Sequence, residues 1–181
     1  FGITGFTEVL TGRVSERFTR LKAGLNFACA QTDDHKLICF GENDEGQLGN
    51  NILIDYTNGV LVMDKNLSGI IHHPVKEFTL GAKHVCATGM GDGAETEKLF
   101  CWGHNNSGQV LPGNTSATIP ASNTAQRSNY GTIYDMAAGN SHTCLHINGH
   151  IECFGAINRI GVDPVNTTPS GYNPILPFSF R

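Results

Sequence analysis

Gly139-Asn140-Ser141-His142-Thr143-Cys144-Leu145-His146-Ile147-Asn148-Gly149-His150-Ile151-Glu152-Cys153-Phe154-Gly155 reads as a β-hairpin whose register is set by its own turn. Asn-Gly is favoured in two-residue hairpin loops because both central residues need positive φ. Counting outward from Asn148-Gly149, Ile147 faces His150, His146 faces Ile151, Leu145 faces Glu152 and Cys144 faces Cys153. Directly opposed residues in an antiparallel pair have Cα atoms roughly 4.5 to 5.5 Å apart. That is within reach of a disulfide.

The same frame occurs twice more. It runs from Gly24 to Cys29 and then Cys39-Phe40-Gly41, and from Gly81 to Cys86 and then Cys101-Trp102-Gly103. The leading glycines recur at intervals of 57 and 58 residues, a period that marks solenoids, propellers or arrays. In the first repeat the hairpin centres on Asp34. In the second it centres on the glycine-rich, acidic stretch Gly89 to Glu97, which lengthens the hairpin and keeps the cysteines in register. Six cysteines are compatible with disulfides, a metal site or reactive thiols. Zinc ligands come in close pairs such as C-x2-C, whereas these pairs lie 10, 15 and 9 residues apart. The spacing favours three bridges, Cys29 to Cys39, Cys86 to Cys101 and Cys144 to Cys153.

Composition agrees with short strands and tight turns. The chain has 181 residues, 22 of them glycine, and 15% are charged against roughly 25% in an average soluble protein. A net charge of -4 with no lysine or arginine cluster argues against nucleic acid and anionic membranes, which both need several cations on one face. No apolar run approaches the roughly 20 residues of a membrane helix. The start lacks the charged and apolar regions of a signal peptide, and Phe1 is not an initiator, so a processed or partial chain is expected. Apolar stretches lead into each repeat glycine: Phe18-Thr19-Arg20-Leu21, Phe78-Thr79-Leu80 and Ile133-Tyr134-Asp135-Met136.

Gly81-Ala82-Lys83-His84-Val85-Cys86-Ala87, Cys101-Trp102-Gly103 and Gly46-Gln47-Leu48-Gly49 resemble the regulator of chromosome condensation repeat. The likeness covers roughly residues 18 to 161. It departs from the family where the third repeat has Gly155-Ala156-Ile157-Asn158-Arg159-Ile160-Gly161 in place of the G-Q-L-G turn, and in the cysteine pair of every repeat. The paired cysteines look more like the extracellular crinkly-type propellers of plant receptor kinases. The resemblance implies an all-β, propeller-like array of about three four-stranded antiparallel blades, partial or open, since such rings usually hold seven. The expected organisation is an N-terminal strand segment over 1–17, repeats over 18–77, 78–132 and 133–172, and a C-terminal strand over 173–181 that starts a further repeat.

No residue pattern points to catalysis. There is no G-x-S-x-G elbow, P-loop or dinucleotide fingerprint, and symmetry accounts for all six cysteines. No cofactor or metal is expected. His84 and His142, two residues before a cysteine, are expected to hydrogen-bond within their blades; His146 shares a face with Cys144 while His150 points the other way. His72-His73 precede Pro74 in a loop. The carboxylates Asp33-Asp34, Glu42 and Asp44-Glu45 lack the spacing of a calcium loop and read as solvated turns, as do Asp92 and Glu95 to Glu97. Trp102, with Phe40 and Phe154 at the same repeat position, is expected to pack between blades, and Gln47 and Gln109 to brace turns.

Four N-x-S/T sequons begin at Asn66, Asn105, Asn114 and Asn166. All fall in expected loops, so all four asparagines are expected to be exposed and at least one glycosylated. Disulfides place the chain in an oxidising compartment, outside the cell or on its surface. The expected role is a non-enzymatic, secreted or cell-surface repeat module for protein interaction or structural assembly. The alternative is an exchange-factor-like propeller acting on a small GTPase. Partners would be another protein or copies of the chain, joined head to tail through Phe1, Ile3, Phe6, Ile175, Leu176, Phe178 and Phe180 into a filament.

Overall fold

The computed structural model describes residues 16–64, 69–70, 74–90, 97–110, 118–119, 132–156 and 173–174. The described residues contain strands and turns and no helix. The strands are β1 (Phe18–Ala23), β2 (Phe27–Thr32), β3 (Leu37–Gly41), β4 (Tyr56–Leu61), β5 (Met63–Asp64), β6 (Gly69–Ile70) and β7 (Val75–Leu80). They continue with β8 (His84–Met90), β9 (Glu97–His104), β10 (Thr118–Ile119), β11 (Ile133–Ala138), β12 (His142–Ile147), β13 (His150–Gly155) and β14 (Asn173–Pro174).

Three four-stranded antiparallel sheets follow, ordered β1-β2-β3-β4, β7-β8-β9-β10 and β11-β12-β13-β14, beside a small β5-β6 pair. Each large sheet is a meander, its neighbouring strands following one another in chain order. The third hairpin has the register counted from its turn, with Ile147 opposite His150 through to Cys144 opposite Cys153. Asn148 and Gly149 both have positive φ, 47° and 82°. Cys29 opposes Cys39 and Cys86 opposes Cys101. All three pairs are bridged, with Cα separations of 4.1, 4.1 and 4.0 Å. Each opening strand also carries a bulge at the same place, between Phe18 and Arg20, Val75 and Glu77, and Ile133 and Asp135. A bulge so placed increases the local twist.

The sheets stack face to face, because strand alternation gives the middle sheet two apolar faces. On one side Val75, Phe78, Val85, Phe100 and Trp102 pack with Phe27, Cys29, Leu37, Cys39 and Leu48 of the first repeat. On the other, Cys86, Leu99, Cys101 and Val110 pack with Ile133, Met136, Leu145, Ile147 and Phe154 of the third. The third sheet takes its outer strand from Asn173–Pro174, paired with Cys153 and Glu152, at the head of the C-terminal strand expected to start a further repeat.

Main-chain bonds lock the sheets at one corner. Leu25 N donates to Ala82 O at 3.1 Å and Ala82 N to Asn140 O at 3.3 Å. The repeat glycines permit this approach: a Cβ on Gly81 would lie 2.0 Å from the His84 ring and 2.7 Å from the carbonyl of Gly139.

Candidate functional site

The turns after β3 and β9 are built alike. Asn43 Oδ1 accepts from Leu48 N and Asn105 Oδ1 from Val110 N, both at 2.9 Å. Gln47 Oε1 accepts from Glu45 N and Gln109 Oε1 from Ser107 N, also at 2.9 Å. The glutamines brace the turns, as the sequence implied. Asn105 is fully buried, which corrects the expectation of an exposed sequon there: its amide serves the turn, and a glycan on it would break the turn open. The offset shared with Asn43 is the signal that could have revealed this.

Each turn also grips the next sheet. Trp102 Nε1 donates to Gln47 O at 3.0 Å, and Thr143 Oγ1 donates to Gln109 O at 3.0 Å. Because the Thr143 hydroxyl spends its proton on Gln109, it accepts from His84 Nε2, 2.9 Å away. His84 therefore carries its proton on Nε2, and its buried Nδ1 has no hydrogen-bond partner. Burial, with His104 and His142 nearby, lowers the His84 pKa to about 4. The expected bond within the blade is corrected: His84 bonds across to the third sheet. His142 is half-buried with its ring over Gly139.

The two sheet interfaces differ in charge. Lys83 lies 3.3 Å from Glu42 and 2.7 Å from Asp44, and His104 lies 3.0 Å from Glu45. Glu77 receives both Arg20 and Lys22. Ser141, His104, Asn106 and Ser107 stand at the matching positions one repeat on, so that interface is held without this ionic set. The hydrogen bond from Lys83 holds the Asp44 carboxyl below its usual range. Burial works against ionisation of Glu77, yet the bonds from Arg20 and Lys22 outweigh it and lower its pKa. Asp34 meets Lys36 and Thr32. These carboxylates are thus matched by the protein's own cations.

Beyond the first turn, residues 52–54 form an apolar projection. Ile52, Leu53 and Ile54 are all exposed, yet their backbone is fixed. Asn43 Nδ2 lies within hydrogen-bond distance of Asn50 Oδ1 (3.0 Å), Ile52 O and Ile54 O (3.1 Å). Asn43 N donates to Asp55 Oδ1 at 2.8 Å. One buried asparagine therefore holds three consecutive aliphatic side chains out into solvent, a feature that sequence reasoning missed.

His146 sits on the Cys144 face with its ring 5.2 Å from that of Tyr134, while His150 Nε2 lies 2.9 Å from Glu152 Oε1 on the other. Asn66, Asn114 and Asn166 lie outside the described residues. So do His72, His73, Asp92, Glu95 and the expected interface residues Phe1, Ile3, Phe6, Ile175, Leu176, Phe178 and Phe180.

Residues 18–47 match the regulator of chromosome condensation (RCC1) repeat. Among solved structures, yeast RCC1 (Prp20) bound to Kap60 is 17% identical with a TM-score of 0.64, over 92% of this chain and 34% of that one. Prp20p from Saccharomyces cerevisiae, described with its binding to Gsp1p and histones, is 16% identical with a TM-score of 0.64, over 96% and 37%. Human WBSCR16 is 16% identical with a TM-score of 0.59, over 76% and 33%. No curated protein sequence matches. The resemblance to RCC1 repeats is thus carried by the first repeat in sequence and by the blade fold throughout. The chain spans about a third of the length of these solved proteins.

Proposed function

We propose that the chain is a non-enzymatic propeller segment of a secreted or cell-surface protein, and that it binds a protein partner through the Ile52-Leu53-Ile54 projection. The observation that carries the reading is the pinning of that loop by Asn43. Apolar side chains held in one conformation before binding lose little entropy on contact, and exposed apolar patches mark interaction sites. Three cross-strand disulfides, with no free cysteine among the described residues, support an oxidising compartment. N-glycosylation at Asn66, Asn114 or Asn166 belongs to the same reading.

The RCC1-type fold also fits an exchange factor acting on a small GTPase, since yeast Prp20p is described with its binding to Gsp1p. Fold alone does not carry that activity. A thiol count on native protein without reductant separates the two readings. No free thiol is expected of the extracellular module, and six free thiols would overturn it in favour of the intracellular one.

A further inference from the structure

One position in the repeat sets how each sheet interface meets acid. Three residues after the repeat glycines stand Phe27, His84 and His142. Each ring lies over its own glycine: a Cβ on Gly24, Gly81 or Gly139 would lie 2.1, 2.0 or 2.3 Å from it. Between the first and second sheets Phe27 is buried in one apolar cluster with Val85. Between the second and third sheets His84 and Thr143 hold those two places and bond to each other. The second interface thus buries a titratable ring where the first buries a hydrocarbon.

His84 fits its site only when neutral. Nε2 gives its proton to Thr143, while the buried Nδ1 faces Gly81, whose Cβ would lie 2.3 Å from it, and has no hydrogen-bond partner. A proton on Nδ1 adds a buried N–H with no acceptor and a buried charge. The titratable groups nearest the ring are His104 on β9 and His142 on β12, which become like charges in acid. The turn over 105–110 contains no titratable residue, Asp135 on β11 is exposed, and His150 and Glu152 of β13 pair within their own sheet. Among the described residues, no carboxylate is bonded to the His84 ring to take up its charge.

The first interface responds in the opposite sense. Lys83 reaches Glu42 and Asp44, and Arg20 and Lys22 reach Glu77. His104 Nδ1 lies 3.0 Å from Glu45 Oε1, a contact that a protonated ring strengthens. Asp44 and Glu77 keep their charge below the ordinary carboxylate range, so these ion pairs outlast the pH window in which His84 takes up a proton.

From this asymmetry we propose that the second and third sheets form an acid-operated joint: protonation of His84 parts the third sheet from the second, while the first and second stay together. Above pH 6.5 open and closed forms are both neutral at His84, and the joint stays shut. Burial, with His104 and His142 nearby, holds the closed-form pKa at about 4, against roughly 6.5 for a solvated ring. The open form therefore gains about thirtyfold by pH 5. Interface switches in pH sensors use the same buried-histidine chemistry. The joint lies within the chain and is separate from the Ile52-Leu53-Ile54 projection, so the two proposals stand or fall independently.

The test uses the oxidised 181-residue chain at about pH 7.5 and about pH 5. Met136 is buried in the second interface, and Trp102, the single tryptophan, is buried in the first. Oxidation of Met136 by hydrogen peroxide, mapped on peptides and scaled to free methionine, should quicken about thirtyfold at the lower pH. Trp102 emission should keep its neutral-pH maximum. His84→Phe, a ring the repeat accepts as Phe27, and His84→Gln should each hold the Met136 rate within about twofold across the two conditions. His104→Gln and His142→Gln should both keep the acid response. An unchanged Met136 rate in the wild type, a Trp102 shift that accompanies the Met136 gain, or an acid response that survives in a folded His84 variant would each overturn the proposal. Should neither His84 variant fold, loss of the response in His104→Gln or His142→Gln would overturn it, and its retention in both would support it.

Discussion

Trp102 Nε1 reaches 3.0 Å across a sheet interface to the carbonyl oxygen of Gln47, while Phe40 and Phe154 fill the same repeat position without a donor. Trp102→Phe therefore keeps an aromatic ring the repeat accepts and strips a buried carbonyl of its partner. A loss of roughly 1–3 kcal/mol is expected, read as a lower urea midpoint with an unchanged slope. An unshifted midpoint would mean that the ring alone holds the interface.

Gly103 has φ +97°, and a Cβ there would lie 2.5 Å from Lys83 O and 2.9 Å from His84 Cα. Gly149 has φ +82° with nothing within 4 Å. Gly149→Ala should cost about 1 kcal/mol through conformation alone. Gly103→Ala adds a collision with backbone and should cost roughly 2–4 kcal/mol. Thermal melts of the two variants check the order, and equal shifts would contradict it.

His84 gives the fold a dependence on pH. Its pKa is about 4 in the fold and near 6.5 in the unfolded chain, so below pH 6.5 the unfolded state binds the extra proton. Stability is then full above pH 6.5 and falls as pH drops toward 4, by about 3 kcal/mol. Glu77, lowered from 4.5, and Asp44, lowered from 3.8, add a further loss that starts at the foot of that window and continues below it. In urea titrations at several pH values, His84→Asn should flatten the slope between pH 6.5 and 4. An unchanged slope would assign the dependence to other groups.

Asn43→Ala removes the acceptor for Leu48 N and the donor to Ile52 O and Ile54 O at once. A loss of roughly 2–3 kcal/mol is expected, more than one hydrogen bond is worth. Amide exchange over residues 48–55 should rise while the β2-β3 hairpin stays protected. Equal protection in both proteins would show that the projection is held by something other than Asn43.

The sequence made the hairpins legible because their determinants are local. Asn148-Gly149 fixes a turn, the turn fixes the register, and the register sets Cys144 against Cys153. Trp102 and the bracing glutamines were legible through the repeat. What stayed hidden depends on contacts between repeats. His84 reaches Thr143, 59 residues away, and no local pattern sets that distance. Asn105 reads as a sequon by its own tripeptide and as a buried brace only beside Asn43. The apolar residues 52–54 read as a further stretch of chain until Asn43 is seen to hold their backbone.

The central claim, that each repeat is an independently clamped blade, is tested most directly by peptide mapping of the native protein digested without reductant. The account predicts linked peptides joining Cys29 to Cys39, Cys86 to Cys101 and Cys144 to Cys153, with no unlinked cysteine. A bridge between repeats, or cysteines recovered free, would contradict it.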